Sequence, residues 1–227
     1  MVQLKKKSCF AFILEGDTEK EFYLTLLDFL CNKYSATFNR SVNATTMDID
    51  YIISLGSQEI LTKFHVVNTI GQIPQSGRWF NAQCIKKYNR DYSWTVFLCY
   101  DTDGYKEEIS KFYEGDWAIL RSSLKRASNI FDIAASADIE DIMLTDLPNI
   151  LKFLGLNETV TLSGRKGKAK MKNLYRSVGA TYHEGRRAKL LIDSLDMQYL
   201  LDNAPIPLYK IEEEIFCNLQ KQIELNF

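Results

Sequence analysis

Long apolar runs are missing: nothing in the 227 residues approaches the roughly 20 consecutive apolar residues that a membrane-spanning helix needs. Lys5-Lys6-Lys7 stands before an apolar run that is too short for a signal sequence and ends in acids, so no secretory leader is read there. Cysteine occurs at five positions without the paired spacing of a metal site. Cys9 and Cys99 fall inside apolar segments, as buried thiols of a reducing cytoplasm do. A P-loop is missing too, because Ser163-Gly164-Arg165-Lys166-Gly167-Lys168 lacks the required spacing of glycines, lysine and hydroxyl. Overall charge is also nearly absent: 28 Lys and Arg face 29 Asp and Glu, a net of −1, which by itself predicts no nucleic-acid binding. What is left is a chain of ordinary globular composition, long enough for one good core.

Two apolar stretches stand out within it. Cys9 to Leu14 is rich in aromatic and branched residues, too short for a buried helix, and stops at Glu15-Gly16-Asp17; it reads as an interior strand. Thr18 with Glu21 has capping-box spacing, and Phe22, Leu26, Leu27, Leu30 and Tyr34 continue at helical spacing, so a helix from Thr18 to about Tyr34 follows directly. Trp94 to Tyr100 is a second interior strand, ending in Asp101-Thr102-Asp103-Gly104. Residues two apart on an extended end point the same way. If the strands are parallel neighbours, Glu15, Asp101 and Asp103 converge at the sheet edge where ligands of open α/β folds bind. Three carboxylates so close raise one another's pKa unless a cation lies between them, and hard ions such as Mg²⁺ or Mn²⁺ take such oxygen ligands.

A strand ending in Glu-Gly-x-Thr-Glu, followed by a strand ending in Asp-x-Asp, resembles the Toprim domain of topoisomerases, primases and several nucleases, and most nearly the OLD, RloB or AbiL type of bacterial phage-defence loci. The resemblance covers roughly residues 8 to 140. It implies an α/β fold with a parallel four-stranded sheet flanked by helices, spanning 1–155 with an insertion at about 35–61, and a mostly helical, basic extension at 156–227 packed on it. It also implies a metal-dependent nuclease with Glu15, Asp101 and Asp103 on the metal. A third motif of these proteins is matched by Ser136 and Glu140, so Glu140, or Glu19 one turn beyond Glu15, is placed near a second ion. Acids at helix starts are favoured by the dipole in any case.

The remaining chain fits this frame. The 35–61 segment reads as an insertion, partly helical; Lys63 to Ile70 as a strand with His65 at its start, where one satisfied hydrogen bond explains the histidine as well as a catalytic base does; Trp79 to Tyr88 as a helix; Asp116 to Ala127 as another. Ile130 to Ala135 reads as a strand and Ser136 to Phe153 as a helix closed by Gly155. Met171 to Val178 and Arg186 to Leu195 read as helices, and Ile211 to Ile223 stripes a last one. Between Thr161 and Leu190, nine cations face the single acid Glu184, an excess of about +8. Arg165, Lys166, Lys168, Lys170, Lys172, Arg186 and Arg187 are the candidate nucleic-acid contacts, with a lysine among Lys166, Lys168 and Lys170 on the scissile phosphate.

The expected protein is therefore a cytoplasmic Mg²⁺- or Mn²⁺-dependent nuclease acting on DNA or RNA, tRNA included. The resemblance adds an anti-phage role beside an ATPase on a separate chain, and leaves room for a homo-oligomer. Two alternatives stand beside it. A HAD-like phosphatase also carries Asp-x-Asp-Gly after a strand, though usually near the N-terminus and with threonine where Tyr105 stands here. The other is a Toprim fold that only binds or senses.

Overall fold

A computed structural model of the chain describes residues 7–69, 72–88, 91–102, 114–135, 137–156, 160–218 and 220. Asp103 and Ser136 lie outside the described residues. The protein is α/β, built on a six-stranded mixed sheet in the order β2-β3-β4-β1-β5-β6. β1 (Lys7–Leu14), β4 (Gln58–Val66), β5 (Tyr92–Asp101) and β6 (Asn129–Ala135) run parallel to one another. β2 (Thr37–Val42) and β3 (Ile49–Leu55) are added antiparallel beyond β4. The expectation of four parallel strands therefore needs extending by two. Residues 35–61, read as a partly helical insertion, form a hairpin and the start of β4. The polar turn after Val42 closes the hairpin, with Asn43 Oδ1 accepting from the backbone N–H groups of Thr45 and Thr46.

β1 lies at the centre and serves two cores, because side chains alternate across a strand. Phe10, Phe12 and Leu14 face α1 (Asp17–Lys33), which buries Phe22, Leu26, Leu27 and Leu30 against them. Phe12 is fully buried, its ring 4.7 Å from that of Phe64 and 4.9 Å from that of Phe97. Cys9, Ala11 and Ile13 face the opposite layer, where α2 (Ile73–Trp79) and α3 (Glu114–Ser123) bring Ile73, Trp79, Trp117 and Leu120. All of these side chains leave water, at about 1.5–3 kcal/mol for each large one.

The connections decide where a ligand can sit. After β1 the chain goes through α1 and the hairpin to β4 on one side, while β5 is followed along the chain by α3 and β6 on the other. Neighbouring parallel strands whose continuations diverge leave a crevice at their carboxyl ends. Here that crevice lies between Leu14 and Asp101.

Local expectations shift in several places. Thr18 is not the cap of α1: Gly16 occupies that position in extended conformation, with no side-chain cap, and Thr18 Oγ1 instead accepts the Gly185 N–H at 2.8 Å. The strand expected over Lys63 to Ile70 begins earlier and stops at Val66. The helix expected over Trp79 to Tyr88 continues α2 as a wider π-type coil over Phe80–Lys86. The helix expected over Ser136 to Phe153 is broken into α4 (Ile139–Met143), a tight turn and α5 (Leu147–Phe153), with Pro148 in the first turn of α5, where a missing N–H costs nothing.

α6 (Gly167–Ser177) starts earlier than the sequence suggested. A 3₁₀ turn at Gly185–Ala188 then leads into the short α7 (Lys189–Ile192). α8 (Met197–Asn203) and α9 (Tyr209–Glu212) follow. Met171, Leu174, Leu191, Ile192, Leu200, Ile211 and Phe216 share the core of α1 and the sheet. Among the described residues no helix is long and apolar enough to cross a membrane.

Candidate functional site

The backbone at the end of β1 is held from both sides. The Glu15 N–H donates to the Cys99 carbonyl at 3.0 Å, and the Glu15 carbonyl accepts from the Asn68 N–H at 2.9 Å. The side chain is thereby aimed across the crevice, where Glu15 Oε2 accepts the Asp101 N–H at 3.0 Å. Asp101 is fixed in turn by pairing with Ala135 of β6. Glu19 comes from the first turn of α1 and Glu140 from the start of α4; both are buried. Glu15, Glu19, Asp101 and Glu140 line one cavity of about 410 Å³, together with Asn68, Lys168 and Glu184.

Little in this cavity offsets the negative charge. Burial, then Glu19, Glu15, Glu140 and Asp138, push the Asp101 carboxyl well above the usual carboxylate range. Glu19 is pushed up to about 7 by burial and by Glu15, against the pull of a backbone hydrogen bond and Lys168. Glu140 reaches about 8, chiefly by burial and the nearby Asp138, although the Tyr182 hydroxyl donates to its Oε1 at 2.9 Å. Asp101 Oδ1 is buried without any hydrogen-bond partner. A buried carboxylate oxygen without a donor is costly, and a hard cation is the ligand that would satisfy it.

The donor set, all carboxylate oxygen, thus fits Mg²⁺ or Mn²⁺. Its geometry is open: among the described residues no three His, Cys, Asp or Glu side chains are grouped closely enough to grip an ion as they stand. Asp103, the third expected ligand, belongs to the segment outside the described residues.

The basic segment is distributed differently from its sequence. Only Lys168 enters the cavity. It is carried there by the start of α6, which docks on α4: Asp138, the N-cap of α4, accepts the Lys168 N–H at 3.0 Å, and Asp141 Oδ2 accepts the Gly167 N–H at 2.9 Å. Lys170 is tied to Asp141 at 2.9 Å and does not line the cavity. Lys168 and Lys172 both reach Glu184, at 2.5 and 3.4 Å. Arg165 is exposed and Lys166 half-buried at the N-cap of α6. Arg186 and Arg187 are exposed on the turn beside the cavity rim, Arg187 lying 3.4 Å from the His183 ring.

Tyr182, Glu184, Asp138, Asp141 and Gly167 were not anticipated at the site. Glu184 had a signal, being the one acid in a basic run; Asp138 and Asp141 had another, the three-residue spacing of an N-cap.

His65 lies apart from this cavity and makes two hydrogen bonds rather than one. Its Nδ1 is 2.7 Å from Asp48 Oδ1, its Nε2 is 3.1 Å from Ser76 Oγ, and its ring stacks on Trp79 at 4.5 Å. Ser76 is fully buried in α2, and these contacts tie β4 to α2 and to the residue before β3.

No family model and no curated protein matches the chain. Solved structures align over most of its length at low similarity. Futalosine hydrolase of Helicobacter pylori strain 26695 gives 7% identity and a TM-score of 0.26 over 87% of this chain and 98% of that one. The Campylobacter jejuni 5'-methylthioadenosine/S-adenosyl homocysteine nucleosidase gives 10% and 0.27 over 87% and 97%. The Arabidopsis thaliana 5'-methylthioadenosine nucleosidase gives 12% and 0.26 over 87% and 76%. Scores at this level carry no argument about fold or activity.

Proposed function

We propose that the chain is a divalent-metal-dependent nuclease, with its four parallel strands arranged in the Toprim manner. One observation carries the reading: a buried, partnerless oxygen of Asp101 sits among Glu15, Glu19 and Glu140 in the crevice between two diverging parallel strands. Glu15 and Asp101, with Asp103, would hold Mg²⁺ or Mn²⁺, and Glu19 or Glu140 a second ion. The metal would supply an activated water and neutralise charge on the phosphate. Lys168, which lines the same cavity, orients the scissile phosphate. The N-terminus of α1, left without a side-chain cap, adds its dipole to anion binding, and Arg186 and Arg187 hold the flanking backbone. The motif resemblance extends this to an anti-phage effector working in the cytoplasm with a separate ATPase.

The test is cleavage of plasmid DNA and of tRNA with Mg²⁺ or Mn²⁺ present. Cleavage is expected in the native chain and lost, by at least about a hundredfold, in Asp101→Asn. Equal cleavage by the variant, or turnover of small phosphate esters alone, would overturn the proposal. The open spacing of the carboxylates favours a second reading, a fold that binds nucleic acid without cutting it. Salt-sensitive binding with no cleavage under either ion would support that instead.

A further inference from the structure

The cavity carries an acid that metal binding does not need. Glu184 comes from the loop before the 3₁₀ turn, and its carboxylate stands at the rim of a cavity already crowded by Glu15, Glu19, Asp101 and Glu140. Its charge adds to the repulsion on Glu19. What holds it there is a pair of lysines. Lys168 and Lys172 are four apart on α6 and so project from one face. Each takes one oxygen, Lys168 Nζ to Oε2 at 2.5 Å and Lys172 Nζ to Oε1 at 3.4 Å.

All three side chains are roughly half exposed, at 42 to 45%. An ion pair so open to water contributes little to folding. The loop backbone is secured independently, by the Gly185 N–H donating to Thr18 Oγ1 at 2.8 Å. The carboxylate can therefore leave while the loop stays.

Two ammonium groups set on the two oxygens of one anion are arranged as they would be on the two free oxygens of a phosphodiester. We propose that Glu184 is an internal substitute for the nucleic-acid phosphate: it occupies the Lys168–Lys172 anion site in the free protein, and the substrate backbone displaces it. This inference rests on the reading that the cavity takes nucleic acid, and it adds a self-masking step that sets binding strength.

The test is fluorescence anisotropy of a labelled single-stranded oligonucleotide in EDTA, so that binding is read without cleavage. Glu184→Gln is expected to bind about fivefold more tightly than the native chain, the change equivalent to the roughly 1 kcal/mol at the upper end for such a pair. The gain should vanish when Lys168→Ala and Lys172→Ala are added. Glu213→Gln, which removes an equal charge from an exposed pair with Lys210 elsewhere on the chain, should bind as the native protein does.

Unchanged or weaker binding by Glu184→Gln would overturn the proposal, as would a gain that survives loss of both lysines or is matched by Glu213→Gln. A thermal midpoint measured on each variant separates lost folding from lost binding. Because metal is excluded, tighter binding by Glu184→Gln without any cleavage in Mn²⁺ would retain the mask and remove the nuclease.

Discussion

Asp101 is the residue whose surroundings make least sense without a ligand, having a buried oxygen that nothing donates to. Glu19 and Glu140 do have hydrogen-bond donors, yet burial and neighbouring acids still push their carboxyls up to about 7 and about 8. Their folded values lie above the ordinary 4.5, so each helps the fold while protonated and loses that help as pH rises from about 4.5 toward 7 and 8. The metal-free protein should therefore lose thermal stability across that window. Glu140→Gln, which keeps an acceptor for Tyr182, should lose less of it. Thermal midpoints of the two proteins that fall in parallel with pH would count against this electrostatic picture. The acids themselves were legible as residues because each of Glu15 and Asp101 ends an apolar strand. Glu184 and Tyr182 were not, since their roles depend on contacts with α6 and α4 that no local pattern encodes.

At the scale of elements, the site depends on the seat of α6 against α4. Gly167 makes this contact possible: a Cβ there would stand 2.3 Å from Asp138 Oδ1 and 2.3 Å from Asp141 N, with little freedom to relax. Gly167→Ala should destabilise the protein by about 1–3 kcal/mol in chemical denaturation and shift Lys168 from the cavity. Native stability in that variant would mean that the docking is looser than described.

The same contact-level dependence explains which elements could be read ahead. β1 and β5 are short continuous apolar runs and α1 has apolar residues at helical spacing, so all three were recognisable. The β2–β3 hairpin was not, because β2 is exposed along nearly its whole length and so lacks an alternating pattern. The capping box at Thr18 was misread because its hydroxyl is used by a backbone group 167 residues away.

For the whole molecule, the order of strands matters more than any one of them. The divergence of the chain after β1 and β5 opens the crevice, and Lys168, Glu184 and Gly185 of the C-terminal region complete its lining. The C-terminal helices share the α1 core, with Leu200 fully buried in it, whereas Trp79, Trp94 and Trp117 lie in the core on the other side of the sheet. Leu200→Ala should cost about 2–5 kcal/mol. It should lower the midpoints of tryptophan fluorescence and of circular dichroism together, as one cooperative unit does. A fluorescence midpoint left unchanged would mean that the C-terminal helices unfold separately. The sequence suggested this region as an appended basic surface; the folded chain uses part of it as a wall of the cavity, with Lys168 on the inside and Lys170 outside.

The most direct check is a calorimetric titration of Mn²⁺ into the native protein and into Asp101→Asn, above the pH at which Glu140 ionises. Saturable binding by the native chain, lost or weakened at least about tenfold by the single substitution, is the outcome that a shared cation requires. Absence of binding, or equal binding by both proteins, would contradict it.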